Sequence, residues 1–329
     1  MRASKNFFAS ACFSAWVVVA CAKRDDSHTP FQMAATSLGD SAAASQAPAL
    51  RDAPDPYLDA ALARAKSIGH TSYVLKLGMA GGLVAAYKPR SRLPLGDRRY
   101  KSEIAAYRLA RALALDNVPR AIPRAFAATE LAAAFSTAEG AAAFRRLALV
   151  DADGLVRGAL IPWIERYEEL PWQDPAWRAR WEGWLTADRE LPAGPDRSAA
   201  RAISTMLAFD YLTANWDRWS GGNVARDGAT GNVLFVDNDG AFYDPPPRAA
   251  LTRQLALLQR VLRFSRGFVF RLRELDEAAL REKIGEESPG TPLLTEHAIQ
   301  AVATRRQELL ALIDARLADA GEGATLVFE

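Results

Sequence analysis

The chain has 329 residues, half of them hydrophobic and 24% charged. That is more than one buried core requires, it suits a two-lobed enzyme or two modest domains, and it excludes disorder throughout. Lys and Arg number 41 against 39 Asp and Glu, so no strong net field draws nucleic acid, and none is expected as a partner. The cysteines, Cys12 and Cys21, both lie near the N-terminus, and His28, His70 and His297 are scattered, which leaves the body without a disulfide framework or a Cys/His metal cluster.

Arg2 and Lys5 precede residues 7–20 (FFASACFSAWVVVA), shorter than the ~20 apolar residues a membrane-spanning helix needs and suited to a secretory h-region. Residues 1–20 are therefore expected to be a signal peptide. Val18-Val19-Ala20-Cys21 resembles the lipobox of bacterial lipoproteins, and the resemblance implies lipidation at Cys21. The protein would then be held by a lipid anchor in the bacterial cell envelope, periplasmic or surface-facing. Cleavage elsewhere, or an uncleaved anchor, is the alternative. Residues 22–54, rich in Ala, Ser, Asp and Pro, have the composition of a flexible linker.

The folded body is expected from Asp55. Asp55-Pro56 has the form of an N-cap with proline at N1, and Leu58, Ala61, Leu62 and Ala65 continue a helical stripe to Gly69. Residues 73–77 and 83–89 flank Gly78-Met79-Ala80-Gly81-Gly82, the pattern of a β-hairpin. Residues 100–115 predict a helix with Ile104, Tyr107, Ala114 and Leu115 on one face, interrupted by Arg111 and ended before Asn117-Val118-Pro119. Residues 122–165 hold further strands and a short helix, with 147–150 and 155–161 predicted as strands around Asp151-Ala152-Asp153-Gly154. From Ala199, Ile203, Met206, Leu207 and Tyr211 fit a buried helix that runs into a polar loop at 214–223. A second hairpin, 224–226 with 232–236, delivers Asp237-Asn238-Asp239-Gly240. Beyond it, Leu251, Leu255, Leu258 and Leu262, and later residues 293–317, have helical spacing.

Asp217 and Asp237 lie in loops one hairpin apart, so their carboxylates meet at one end of it, and hard oxygen ligands there suit Mg or Mn. Upstream, a glycine turn between strands, Lys88 at the end of the second strand and Glu103 on the next helix follow the layout with which kinases hold ATP phosphates. Each residue alone has a plainer account: Lys88 as a surface lysine, Glu103 as a solvated helix residue, Asp217 as the ion-pair partner of Arg218, Asp237 as a turn former, the glycines as hairpin formers.

Ala86-Tyr87-Lys88-Pro89, residues 102–109 (SEIAAYRL), Val118-Pro119, Asn215-Trp216-Asp217-Arg218-Trp219 and residues 236–242 (VDNDGAF) resemble the motifs of the secretory-pathway Golgi casein kinase and four-jointed kinase family, which has bacterial relatives. More distantly the chain is similar to HipA-like and phosphatidylinositol kinases. The resemblance spans roughly residues 70 to 250. It implies an α+β, two-lobed protein-kinase-like fold, with a mixed N-lobe of antiparallel sheet and one key helix at 55–165 and a mainly helical C-lobe at 166–329. It implies that Asp217 orients and deprotonates an acceptor hydroxyl, that Lys88 and Glu103 position the phosphates of ATP beneath Gly78, Gly81 and Gly82, and that Asp237 binds the metal, with Asp239 and Asn223 as further ligands.

The chain departs from the family pattern at two points. Trp219 stands where the family commonly has histidine, and Asn223 lies six residues after Asp217 where many kinases space the pair by five; Asn238 is also placed to help bind metal. The reading is an ATP- and divalent-metal-dependent phosphotransferase with a protein or glycan acceptor, and the alternative is an inactive pseudokinase that binds nucleotide or peptide. A hydrolase is disfavoured by the lack of a Gly-x-Ser-x-Gly elbow. Trp163, Trp172, Trp177, Trp181 and Trp184 are expected in the core rather than under a sugar, and the arginines Arg248, Arg253, Arg260, Arg263, Arg266, Arg271 and Arg273 on a solvated helix face rather than against an acidic acceptor.

Overall fold

The computed structural model describes residues 55–69, 72–186 and 190–329. Cys12, Cys21 and His70, with the expected signal peptide and the expected linker, lie outside the described residues. Asp55 caps α1 (Pro56–Asp59), its carboxylate accepting from the Tyr57 amide. The predicted leading helix ends there, after one turn, and Leu62 onward is strand β1 (Leu62–Ser67). Only Ala65 of β1 is buried, so the Ala/Arg/Lys composition that reads as helix is overridden by pairing with the free edge of β2 (Leu75–Met79). A short turn at Ala80–Gly82 joins β2 to β3 (Val84–Pro89) in the predicted hairpin. Then follow α2 (Arg99–Ala112), β4 (Ile122–Ala127), α3 (Ala128–Ala133), α4 (Ala138–Leu147) and β5 (Leu155–Pro162).

The five strands form one antiparallel sheet in the order β1-β2-β3-β5-β4. Alternation divides its residues between two faces. Ala65, Leu77, Ala85, Tyr87 and Leu160 point into a core shared with Leu131 and Phe144 of α3 and α4. Residues 147–150 are not the predicted strand. Thr137 caps α4 by accepting from the Gly140 amide, the alanine-rich run carries the helix through Leu147, and Ala148 makes only an isolated bridge to Ser91.

The second half comprises β6 (Tyr167–Glu169), α5 (Pro175–Leu185), α6 (Gly194–Thr213), β7 (Val224–Asp227), β8 (Val233–Phe235), α7 (Arg248–Leu258), α8 (Arg266–Glu274), α9 (Glu277–Ile284), β9 (Glu286–Ser288), β10 (Thr291–Pro292), α10 (Glu296–Ala320) and α11 (Glu322–Thr325). Strands β6, β7 and β8 form a small antiparallel sheet. The β9–β10 hairpin, too short to show alternation, is absent from the sequence-based expectations. Helix α6 is buried almost all round from Ala199, as a mainly apolar helix requires, with Ser204 and Asp210 hydrogen-bonded inside.

Two predicted helix faces are rotated. Helix α2 buries Ile104, Ala105, Ala106 and Leu109 rather than Tyr107, because it packs against both β5 and α9; it ends at Leu113, and Ala114 is left-handed at φ 56°. Helix α7 buries Ala250, Gln254, Leu257 and Leu258, and leaves Leu255 exposed. Gln254 is turned inward because its side-chain amide donates to the Asn215 carbonyl, and Leu262 lies beyond the helix. Trp172, Trp181 and Trp184 are buried in the large core that joins α2 to the helical half. Trp163 and Trp177 are half-buried. Of the arginine run, Arg260, Arg266, Arg271 and Arg273 form exposed ion pairs, whereas Arg263 is buried and donates to the Trp184 carbonyl.

Candidate active site

Lys88 lies near the end of β3, Glu103 in the first half of α2, and Asp237 and Asp239 just after β8. These positions are far apart in sequence, yet the Lys88 ammonium lies 2.5 Å from Glu103 Oε1, 2.6 Å from Asp237 Oδ1 and 3.2 Å from Asp239 Oδ2. Lys88 and Glu103 are buried, so neither is the solvated surface residue of the plainer account. Asp237 keeps 37% of its side chain exposed and is held in the left-handed region at φ 54°, a backbone state uncommon for a non-glycine residue. Arg99, which the sequence reading passed over, donates from Nη1 to Asp239 Oδ1 at 3.2 Å.

Asp217 is held beside this cluster by the loop after α6. Ala214 ends the helix in the left-handed conformation, and the Asp217 amide donates to Asn215 Oδ1 at 3.2 Å. Gly240 packs against the same loop: a Cβ there would lie 2.8 Å from Asp217 Cβ and 3.0 Å from Asn215 Oδ1, so only glycine permits the approach. Asp217 is not the ion-pair partner of Arg218. That guanidinium is fully buried and donates to Asp210 (3.0 Å from Nε to Oδ2), to the carbonyls of Asn223 (2.8 Å) and Val236 (2.5 Å), and to Asn238 Oδ1 (2.7 Å). Asn238 is therefore no metal ligand here. Its oxygen accepts from Arg218, its Nδ2 donates to the Phe235 carbonyl at 2.8 Å, and its backbone amide donates to Glu103 Oε1 at 3.1 Å.

The charges are unbalanced. Around Lys88 and Arg99 stand Glu103, Asp217, Asp237 and Asp239. Burial pushes Glu103 up despite Lys88, and burial together with the Asp237 charge pushes Asp239 up. For Asp237, burial is outweighed by Lys88, and its carboxyl lies below the usual range. Burial pulls the Lys88 ammonium down, but Asp237, Asp239 and Glu103 outweigh it and hold it well above the ordinary lysine value. Asp217 is pushed up to about 6, mainly by burial, with Asp237 and Asp239 adding to the effect.

Carboxylate oxygens of Glu103, Asp237 and Asp239 all lie within 4.8 Å of one another, a hard oxygen set that fits Mg or Mn. Glu103 is thus a possible ligand as well as the lysine's partner. Asn223 belongs to the Asp217 loop, its Nδ2 donating to the Asp217 carbonyl at 2.9 Å and to Ser220 Oγ at 3.3 Å, bonds that do not use its Oδ1. The glycines divide. Gly81 and Gly82, at φ 71° and 77°, make the β2–β3 turn, but Gly78 is inside β2, where a Cβ would meet the Arg64 side chain at 2.5 Å. By register, Arg64, Lys66 and Lys76 share the Lys88 face of the sheet with Val84, Ala86, Ile161 and Trp163. The Lys76 ammonium stacks on the Trp163 ring at 3.8 Å. Trp219 packs on Trp172 at 4.3 Å between ring centroids.

A crystal structure of the Golgi casein kinase with Mn and ADP bound matches 82% of this chain and 77% of its own at a TM-score of 0.59 and 14% identity. The structure of hydra Fam20 with sugar matches 82% of this chain and 89% of its own at 0.56 and 16%. The chain has the fold of the Golgi casein kinase. It is α+β, with an antiparallel sheet and α2 in one lobe and mainly helices in the other. No family model matches the sequence, and no curated protein does, so the kinship is one of fold. Among the described residues, no helix is long and apolar enough to cross a membrane.

Proposed function

We propose that the protein is an ATP- and divalent-metal-dependent phosphotransferase acting on a hydroxyl acceptor, a protein serine or threonine or a glycan, outside the cytoplasm. The observation that carries this reading is the meeting of Lys88, Glu103, Asp237 and Asp239 within 2.5–3.2 Å of one ammonium, from three segments in kinase order. The solved relative with Mn and ADP supports a nucleotide and Mn as ligands. Asp237 and Asp239, with Glu103 and Asn223, would hold the metal, which when bound neutralises charge on the transferring phosphoryl group. Lys88 and the basic face carrying Arg64, Lys66 and Lys76 attract phosphates. Asp217, ionised above about pH 6, orients the acceptor hydroxyl and takes its proton at the carboxylate. In this reading the signal peptide expected at residues 1–20 and the lipobox-like Cys21 would hold the activity at the cell envelope, with a lipid anchor as the membrane tether.

Trp219, packed on Trp172 where the resembling family commonly has histidine, favours a second reading, a pseudokinase that retains the nucleotide site without turnover. The deciding experiment follows γ-phosphoryl transfer from ATP by the chain from Ala22, with Mg and then Mn, to mixed protein and glycan acceptors. Transfer that disappears in both Asp217→Asn and Asp237→Asn is expected. Wild-type-like turnover in either variant overturns the assignment, and metal-dependent nucleotide binding with no turnover selects the pseudokinase.

A further inference from the structure

Where α2, α8 and α9 meet, a surface cleft of about 590 Å³ is lined by Arg108, Arg111, Ala112, Ala114, Arg271 and Lys283. Every polar side chain in that lining is a cation, and the four come from three helices, α2, α8 and α9. Two of them are not matched by acid. Arg108 donates from Nη1 to the carbonyls of Ile284 (2.7 Å) and Glu286 (2.9 Å), which fixes its guanidinium at the cleft and leaves its other N–H groups free of these bonds. Gly285, at φ 63°, lies where a Cβ would come within 3.4 Å of that Nη1. Burial alone pulls Arg108 down, with no neighbouring carboxylate opposing it. Arg111 is exposed, and its guanidinium makes no ion pair or hydrogen bond among the described residues.

The other two lining cations have acidic partners. Glu274 pairs with Arg271 at 3.0 Å and Glu282 with Lys283 at 2.7 Å, both in exposed pairs that a competing anion displaces at little cost; Glu286 accepts from the Gly290 amide at 2.8 Å. Elsewhere on the same helices the arginines are closed off, Arg273 by Asp314 and Arg281 by Glu277 and Glu296. Phe270, 56% exposed, joins the cleft through Arg271, whose guanidinium lies 5.6 Å from the centroid of its ring. In a chain of net charge +2, this is a local concentration of positive charge with an aromatic edge.

We propose that this cleft docks an acidic polypeptide segment, its side-chain oxyanions, carboxylate or phosphate ester, bound by Arg108, Arg111 and Lys283 and its apolar groups resting on Phe270. The volume is that of a pocket for several residues rather than one small ion, and the exposed phenylalanine selects a peptide over an inorganic anion. This site is independent of the phosphotransferase reading, since no residue in it belongs to the Lys88 cluster.

The test is fluorescence anisotropy of a labelled twelve-residue Asp/Glu-rich peptide containing Leu and Phe, run beside its Asn/Gln counterpart, a phosphoserine version, and pyrophosphate as competitor. The acidic and phosphoserine peptides should bind, more weakly as salt rises, and the neutral peptide should not. Reversing the exposed charges with Arg111→Glu and Lys283→Glu should weaken binding at least about tenfold, with Arg111→Gln giving a smaller loss and Arg145→Glu, on α4, none. Unchanged Tm and unchanged Mn binding in the reversed variant exclude misfolding as the cause. Equal binding by the reversed chain, equal binding of the neutral peptide, or binding of pyrophosphate alone overturns the proposal.

Discussion

Two buried polar clusters lie side by side in this molecule, and they differ in their charge balance. At Arg218 one guanidinium meets one carboxylate, Asp210, and its remaining N–H groups are taken by the Asn223 and Val236 carbonyls and by Asn238. Charge is matched and the hydrogen bonds are used, so the cluster fixes the loop and the strand ends against each other. At Lys88 one ammonium meets three carboxylates, and Arg99 and Asp217 bring the local count to two cations against four anions. Such an excess opposes folding unless something positive arrives. A buried cluster with matched charge is architecture; one with surplus negative charge beside an exposed carboxylate is a place for a cation.

The contrast is broken most severely at Arg218. Its replacement by alanine strands buried Asp210 and should cost about 3–5 kcal/mol, which urea denaturation would show as a large fall in midpoint. By contrast, Asp217→Asn should leave the midpoint near wild type and lower transfer by about 10²–10⁴-fold, the contribution of a positioned base, as phosphate-transfer rates would report. Lys88→Met should lose about 1–3 kcal/mol by taking the ammonium from buried Glu103 and Asp239, which keep only the Asn238 amide and Arg99 as donors, and Mn should restore part of it in a thermal melt, because the metal replaces the lost positive charge. The smallest effect is in pH. Asp217 is raised to about 6, and as the proposed base it would serve only when ionised. Activity should therefore be full above pH 7 and fall about tenfold for each unit below 6, a profile that vanishes in Asp217→Asn.

The order of strand, glycine turn, lysine, helix glutamate and two aspartates was legible because each part is local: a hairpin, a helix, a loop. The pairing of Lys88 with Glu103 was legible from the kinase layout; that Asp237 and Asp239 also reach the Lys88 ammonium is visible only in the fold. What escaped was set by tertiary contact. Residues 62–67 look helical in isolation and are strand because β2 offers an edge. Gln254 looks like a surface residue of α7 and is buried because the Asn215 carbonyl needs a donor. Arg218 invites pairing with its neighbour Asp217, yet it reaches eight residues back to Asp210, one face of a long buried helix. Arg99 carried a signal that went unused, an arginine four residues before Glu103 and so on the same face of α2.

The most direct measurement is a thermal melt of the chain with increasing Mn, beside Asp237→Asn. Surplus carboxylate at Lys88 predicts that Mn raises the wild-type Tm by several degrees, since a ligand at about 100 times its Kd adds about 2.7 kcal/mol, and that Asp237→Asn starts no less stable and gains little. A wild-type Tm indifferent to Mn, or the same rise in the variant, would contradict a cation site built from Glu103, Asp237 and Asp239.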